Sequence, residues 1–150
     1  MGFVPGNSEL TPRQRVAAEC ARRGQLAVVT GCVDLLSGRH DAVDDALVLA
    51  LGGLHAQYVL GGGEGGMTGY WPRVWAARGL LHQWDDTAAP AIIAATEDPA
   101  WRVREMAAKV VARHKVAEAF TAVAALRNDQ VPRVRAAAER AVAVLTAGRS

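Results

Sequence analysis

"DPAWRVREMAAKVVARH" occupies residues 98–114 and "DQVPRVRAAAERAVAVL" occupies residues 129–145. Both write an Asp, then Arg-Val-Arg, then an alanine-rich helical run. Sliding residues 87–116 onto 118–147, an offset of 31, gives ten identities. Five are alanine matches, which an alanine-rich chain supplies readily. The other five pair Asp98, Arg102, Val103, Arg104 and Val111 with Asp129, Arg133, Val134, Arg135 and Val142. A period in this range marks repeat units that bury their apolar faces by stacking on one another. Two helices fit in each unit. The first is "APAIIAAT" in one copy and "FTAVAALRN" in the other. The second opens near Pro99 or Pro132, because proline is tolerated in the first helical turn. Asp98 stands directly before Pro99, which predicts it as an N-cap.

The signature continues upstream. "YWPRVWAARGLLHQW" (70–84) aligns at the same offset, Arg73 with Arg104 and Ala76-Ala77 with Ala107-Ala108. A shift of two would instead match Arg73-Val74 to Arg102-Val103. "TPRQRVAAECA" (11–21) again has Thr before Pro, then Arg-x-Arg and an alanine-rich run. Between these copies, "QLAVVTGCVDLLSG" and "DAVDDALVLALGGLHAQYVL" read as amphipathic helices separated by Gly38. The pattern predicts seven or eight helices in about four pairs, in a single domain over 1–150 with a loose tail at 1–8.

The totals agree with helices alone. Hydrophobic residues make up 51% of the chain, yet only four Trp, two Tyr and two Phe are aromatic, so the core must be largely alanine and aliphatic. Alanine is the strongest helix former, and small side chains let helices approach closely. No run of about 18 apolar residues exists, so no membrane span is expected. The segment "MGFVPGNSELTPRQR" lacks the basic and apolar blocks of a secretion signal. Cys20 and Cys32 form neither a disulfide framework nor a zinc set. A reduced, cytoplasmic protein is the expectation. The net charge of +2 hides an asymmetry. Residues 1–98 carry 7 Lys+Arg against 11 Asp+Glu, whereas 99–150 carry 10 against 4. A basic end can meet an anionic partner.

These repeats resemble the HEAT-repeat family, in its short form of about thirty residues found in phycobiliprotein lyases and bacterial adaptors. Such motifs carry an Asp and, six residues later, an Arg on the second helix. Asp98 with Arg104 and Asp129 with Arg135 reproduce that spacing, and Glu9 with Arg15 is a variant of it. Arg73 departs from it, since position 67 is Met. The resemblance implies a right-handed α-solenoid, or α-α superhelix, of about four HEAT-like helix pairs. It also implies that these Asp and Arg side chains tie neighbouring repeats together.

Sites for chemistry are scarce. Eight of the 15 glycines fall between 52 and 69, concentrated in "GGGEGGMTG". That run lacks the Gly-Lys-Ser/Thr ending and the preceding strand of a phosphate loop, so 61–69 reads as a connector. His40, His55, His82 and His114 make no metal set by spacing. No Gly-x-Ser-x-Gly elbow is present. No catalytic residue, metal or cofactor is therefore assigned.

Stacking the second helices in register gives a candidate surface. Arg78, Lys109 and Arg140 fall at one equivalent position, and Trp71, Arg102 and Arg133 at another seven residues earlier, on nearly the same helix face. The resemblance implies that this face is concave and partner-binding. The expected contacts are Trp71, Arg78, His82, Arg102, Lys109, Arg133 and Arg140, with Trp75 in the core. Two functions follow. One is a non-catalytic protein-binding adaptor or scaffold whose basic face takes an acidic surface or tail. The alternative is a nucleic-acid protein similar to HEAT-like alkylpurine DNA glycosylases, for which Trp71, Trp84, Asp85 and Asp86 are the relevant residues. A chromophore lyase subunit is a third, more distant reading.

Overall fold

Two helix starts, at Thr11 and Asp44, are set by side chains that catch the first free amides. In the computed structural model, which describes residues 10–148, Thr11 accepts from the Gln14 amide at 3.2 Å while the Gln14 side chain accepts from the Thr11 amide at 2.9 Å. This reciprocal box, with Pro12 in the first turn, starts α1 (Pro12–Arg23). It is followed by α2 (Gln25–Leu36), α3 (Asp45–Gly52), α4 (Leu54–Leu60), α5 (Trp71–His82), α6 (Ala89–Ala95), α7 (Trp101–His114), α8 (Phe120–Ala125) and α9 (Pro132–Ala147). Short 3-10 turns link several of them, and the described residues include no strand. The fold is all-α. The expected tail at 1–8 and the expected Glu9–Arg15 pairing lie outside the described residues. The chain divides after Gln83 into two compact units.

In the first unit, Val28, Cys32 and Leu35 of α2 are buried with Leu47, Val48 and Leu51 of α3 and with Trp75 and Leu80 of α5. Glycine makes this packing close. A Cβ on Gly79 would sit 2.7 Å from Leu51 Cδ2 and 2.8 Å from Cys32 Sγ. The sequence reads 41–60 as one helix, but the structure breaks it. Asp44 caps α3 by accepting from the Leu47 amide at 2.9 Å, and Gly53 ends it with φ of +63°. Arg15 explains the break. Its guanidinium carbon lies 2.9 Å from where a Gly53 Cβ would be, its Nε donates to the Ala50 carbonyl at 2.9 Å, and its Nη1 donates to the Leu10 carbonyl at 2.7 Å. Arg78 Nη2 donates to the neighbouring Leu51 carbonyl at 2.7 Å. Two cations thus meet the free carbonyls at the negative end of α3.

In the second unit, α6 and α8 are the first helices of two pairs, and α7 and α9 the second. Helix α6 packs on α7, α8 on α9, and α7 runs along α9. The core is alanine and valine, as the composition predicts: Val103, Ala107, Val110, Val123, Val134, Ala138 and Ala141 are all buried. The expected helix start at Pro99 is corrected by two residues. Asp98 is not the cap. Its carboxylate accepts from the Ala100 amide at 2.8 Å, and Ala100 then takes the N-cap position. Asp129 does the same for the Val131 amide at 2.9 Å, ahead of Pro132. Each Asp closes a turn that aims the following helix.

The six-residue spacing from Asp to Arg also acquires a physical meaning. Arg104 Nη1 donates to the Asp98 carbonyl at 2.9 Å, and Arg135 Nη1 donates to the Asp129 carbonyl at 2.7 Å. Within one repeat, then, arginine holds the backbone of its aspartate. The carboxylate contact crosses to the next repeat: Arg104 donates from Nε at 2.8 Å and from Nη2 at 3.2 Å to the two oxygens of Asp129. This two-pronged contact fixes the orientation of the neighbouring pair as well as its distance.

Candidate functional site: the face shared by α7 and α9

Arg102, Glu105 and Lys109 stand three and four residues apart on α7, and Arg133 and Arg140 stand seven apart on α9, so each set shares one helix face. Arg133 Nε donates to Glu105 Oε2 across the two helices at 2.9 Å, and Lys109 Nζ approaches the same carboxylate at 3.9 Å. Glu105 is buried, while the Arg133 side chain remains 67% exposed and that of Lys109 45% exposed. Arg140 is exposed one turn pair further along α9. One sheltered carboxylate therefore holds Arg133 and lies near Lys109. It aligns Arg133 without neutralising the face.

Trp101 completes the patch. The Arg102 guanidinium lies 4.5 Å from the indole centroid and that of Arg133 lies 5.3 Å away, both within cation–π range. Stacking on the indole holds each planar group in a fixed orientation. Trp101 and Glu105 are not among the residues that the sequence singles out. In the repeat register they align with Pro132 and Ala136, so neither belongs to the repeated signature. That mismatch was the available signal.

The first-unit residues are placed differently. Arg78, expected in the open, is half-buried with Nη2 on the Leu51 carbonyl, and burial together with the Arg15 charge pushes its pKa down. It is committed to the end of α3. Trp71 is also half-buried, edge-on to His55 with centroids 4.7 Å apart and tilted against Tyr70 at 5.1 Å. His82 is half-buried in the last turn of α5. Trp75 is 2% exposed and lies in the core. The glycine-rich run is folded rather than extended: Gly63 abuts the Tyr58 ring, and Glu64 Oε1 lies 3.4 Å from His55 Nε2.

The residues that favoured nucleic-acid chemistry serve a local turn. Asp85 accepts from the Thr87 amide at 2.9 Å and from its hydroxyl at 2.7 Å, and these bonds hold its pKa below the ordinary value. Asp86 accepts from Trp84 Nε1 at 2.9 Å, and the Trp84 ring stacks on His114 at 5.0 Å. Among the described residues, no three His, Cys, Asp or Glu side chains are grouped so as to hold a metal ion. Nor is any helix among them long and apolar enough to cross a membrane. Burial pushes the Cys32 thiol up to about 12, which keeps it protonated and unreactive.

Residues 70–143 match the family model for HEAT repeats. No curated protein and no solved structure matches the chain.

Proposed function

Because the chain is a HEAT-repeat protein across residues 70–143, a repeat class that commonly mediates protein–protein interaction, we propose that it is a non-catalytic adaptor that binds an acidic protein segment. The binding surface in this reading is the α7–α9 face. The observation that carries it is the stacking of Arg102 and Arg133 on Trp101, with Glu105 holding Arg133 in place and exposed Lys109 and Arg140 further along the same helix faces. An acidic tail would find the exposed cations Lys109, Arg133 and Arg140 for its carboxylates and an indole for an apolar neighbour, the combination found at interface hot spots. The reading places the protein in the cytoplasm as a scaffold. It does not require Trp71, Arg78 or His82.

The test is a fluorescence-anisotropy titration of a labelled glutamate-rich peptide, a labelled DNA duplex and a labelled single strand at several salt concentrations. The proposal expects saturable peptide binding that weakens with salt. Replacing Arg102, Lys109, Arg133 and Arg140 together by Gln should abolish it. DNA that binds more tightly than the peptide, with a steep salt slope, would replace this reading by the nucleic-acid one.

A further inference from the structure

The turn that leads into α3 packs against α2, and a cavity of about 410 Å³ opens between them in the first unit. That volume is in the range of small-molecule sites. Much of its lining is apolar: Leu26 and Ala27 of α2 and Ala42 and Val43 of the turn, with the buried Gly31 and Leu47 at the floor. A methyl group at Gly31 would collide with Leu47 Cδ2, so glycine is what lets the two helices close that floor. Leu26 is 60% exposed, which leaves a branched apolar side chain in the wall for a ligand to cover.

Two carboxylates stand in the same lining, Asp34 on α2 and Asp44 at the start of α3. Asp34 Oδ1 accepts from Arg39 Nε at 3.1 Å and from its Nη2 at 2.9 Å. Asp44 Oδ1 accepts from the Leu47 amide at 2.9 Å and from Arg23 Nη2 at 3.0 Å. In each carboxylate Oδ2 meets no donor among the described residues. Arg23, the cation in the lining, is already bonded to Glu19 as well as to Asp44. Residues 34–45 carry four Asp against one Arg, so the field around the cavity draws cations.

We propose that this cavity binds a small organic ammonium ion, its apolar body on Leu26, Ala27 and Val43 and its charged group on the open oxygens of Asp34 and Asp44. An ammonium suits this rim better than a guanidinium. A guanidinium fork takes both oxygens of one carboxylate, and here one oxygen of each is already engaged. An ammonium carries three separate donors and can serve two single oxygens. A metal ion fits less well, because among the described residues no third His, Cys, Asp or Glu is grouped with this pair. The site shares no residue with the α7–α9 face, so it and the acidic-segment reading hold or fail separately.

The probe is phenethylammonium, titrated into the full chain with 13C-labelled Leu and Val methyl groups and followed by NMR. The control is 2-phenylethanol, which has a similar shape without the charge. The proposal expects saturable shifts of the Leu26 and Val43 methyl signals, with the alcohol binding at least about tenfold more weakly. The D34N D44N double variant, in which asparagine can still cap α3, should weaken the amine by a similar factor and leave the alcohol unchanged. A27W fills the cavity from an exposed helix position and should remove binding while the melting temperature holds. Absence of saturable shifts, equal affinity for amine and alcohol, amine binding unmoved by the double variant or by A27W, or displacement of the amine by calcium would each overturn it.

Discussion

Replacing Arg104 by Ala removes a side chain that bonds both its own repeat and the next. Four contacts are lost: two to the Asp129 carboxylate, and one each to the carbonyls of Asp98 and Pro99. The Arg104 side chain is 17% exposed and that of Asp129 only 8%, so the pair is neither a solvated surface bridge nor fully dry. Surface pairs contribute about 0–1 kcal/mol, and breaking a buried one costs about 3–5 kcal/mol. The intermediate setting points to a loss of about 2–4 kcal/mol for R104A. D129N keeps an acceptor for the Val131 amide and should lose somewhat less. The decisive quantity is the coupling between the two sites in a double-mutant cycle, measured by urea unfolding. Charge-assisted hydrogen bonds of this kind predict about 1.5–3 kcal/mol. Contacting residues that couple by less than about 0.5 kcal/mol behave as independent sites, and that result would refute a rung between the repeats.

The pH dependence supplies a second check on the same rung. The Arg104 hydrogen bonds hold the Asp129 carboxyl below its ordinary value, against the opposing effect of burial. A depressed folded-state pKa contributes stability that is complete above the unfolded value, about 4, and is lost as pH falls through the folded value. The difference between wild type and D129N should therefore be flat at neutral pH and shrink below about pH 4. A difference that stays constant down to pH 2 would contradict the assignment.

Other predictions concern single sites. Gly79→Ala should destabilise by about 1–3 kcal/mol through overpacking, because the new methyl meets Leu51 and Cys32; unchanged urea unfolding would show that the helices can part freely. Cys32 should resist thiol reagents at neutral pH until the chain unfolds, and rapid labelling of the native protein would contradict its burial. Gly53→Ala should destabilise more than Gly61→Ala in thermal melts. Only Gly53 combines a positive φ with a side chain, that of Arg15, pressed against it. Trp101→Ala should weaken binding of the acidic peptide without changing its salt slope, since it removes apolar contact rather than charge; a flattened slope would place Trp101 outside the patch.

The repeat, the all-helical class and the pairing of helices were legible because they rest on periodicity. Asp-x-x-x-x-x-Arg recurs at a fixed offset, alanine and valine recur at helical spacing, and neither needs a distant partner to be seen. The close packing of α5 was partly legible, since Trp75 one turn from Gly79 marks a buried face. The tertiary structure decided which atoms those signatures use. The sequence pairs each arginine with the aspartate six residues before it, but the guanidinium takes that residue's backbone carbonyl while the carboxylate closes the turn onto the Ala100 or Val131 amide. The carboxylate partner comes from the neighbouring repeat, and only packing brings it near. Arg78 was misplaced for a related reason. Register alone put it in line with exposed Lys109, whereas the broken end of α3 offered it free carbonyls to satisfy. Trp101 and Glu105 escaped notice because they interrupt the repeat, and periodicity is blind to what occurs once. The chain thus writes its scaffold in local spacing, which short-range sterics enforce. Its surface chemistry depends on contacts between residues far apart in sequence, whose geometry exists only after the helices have packed.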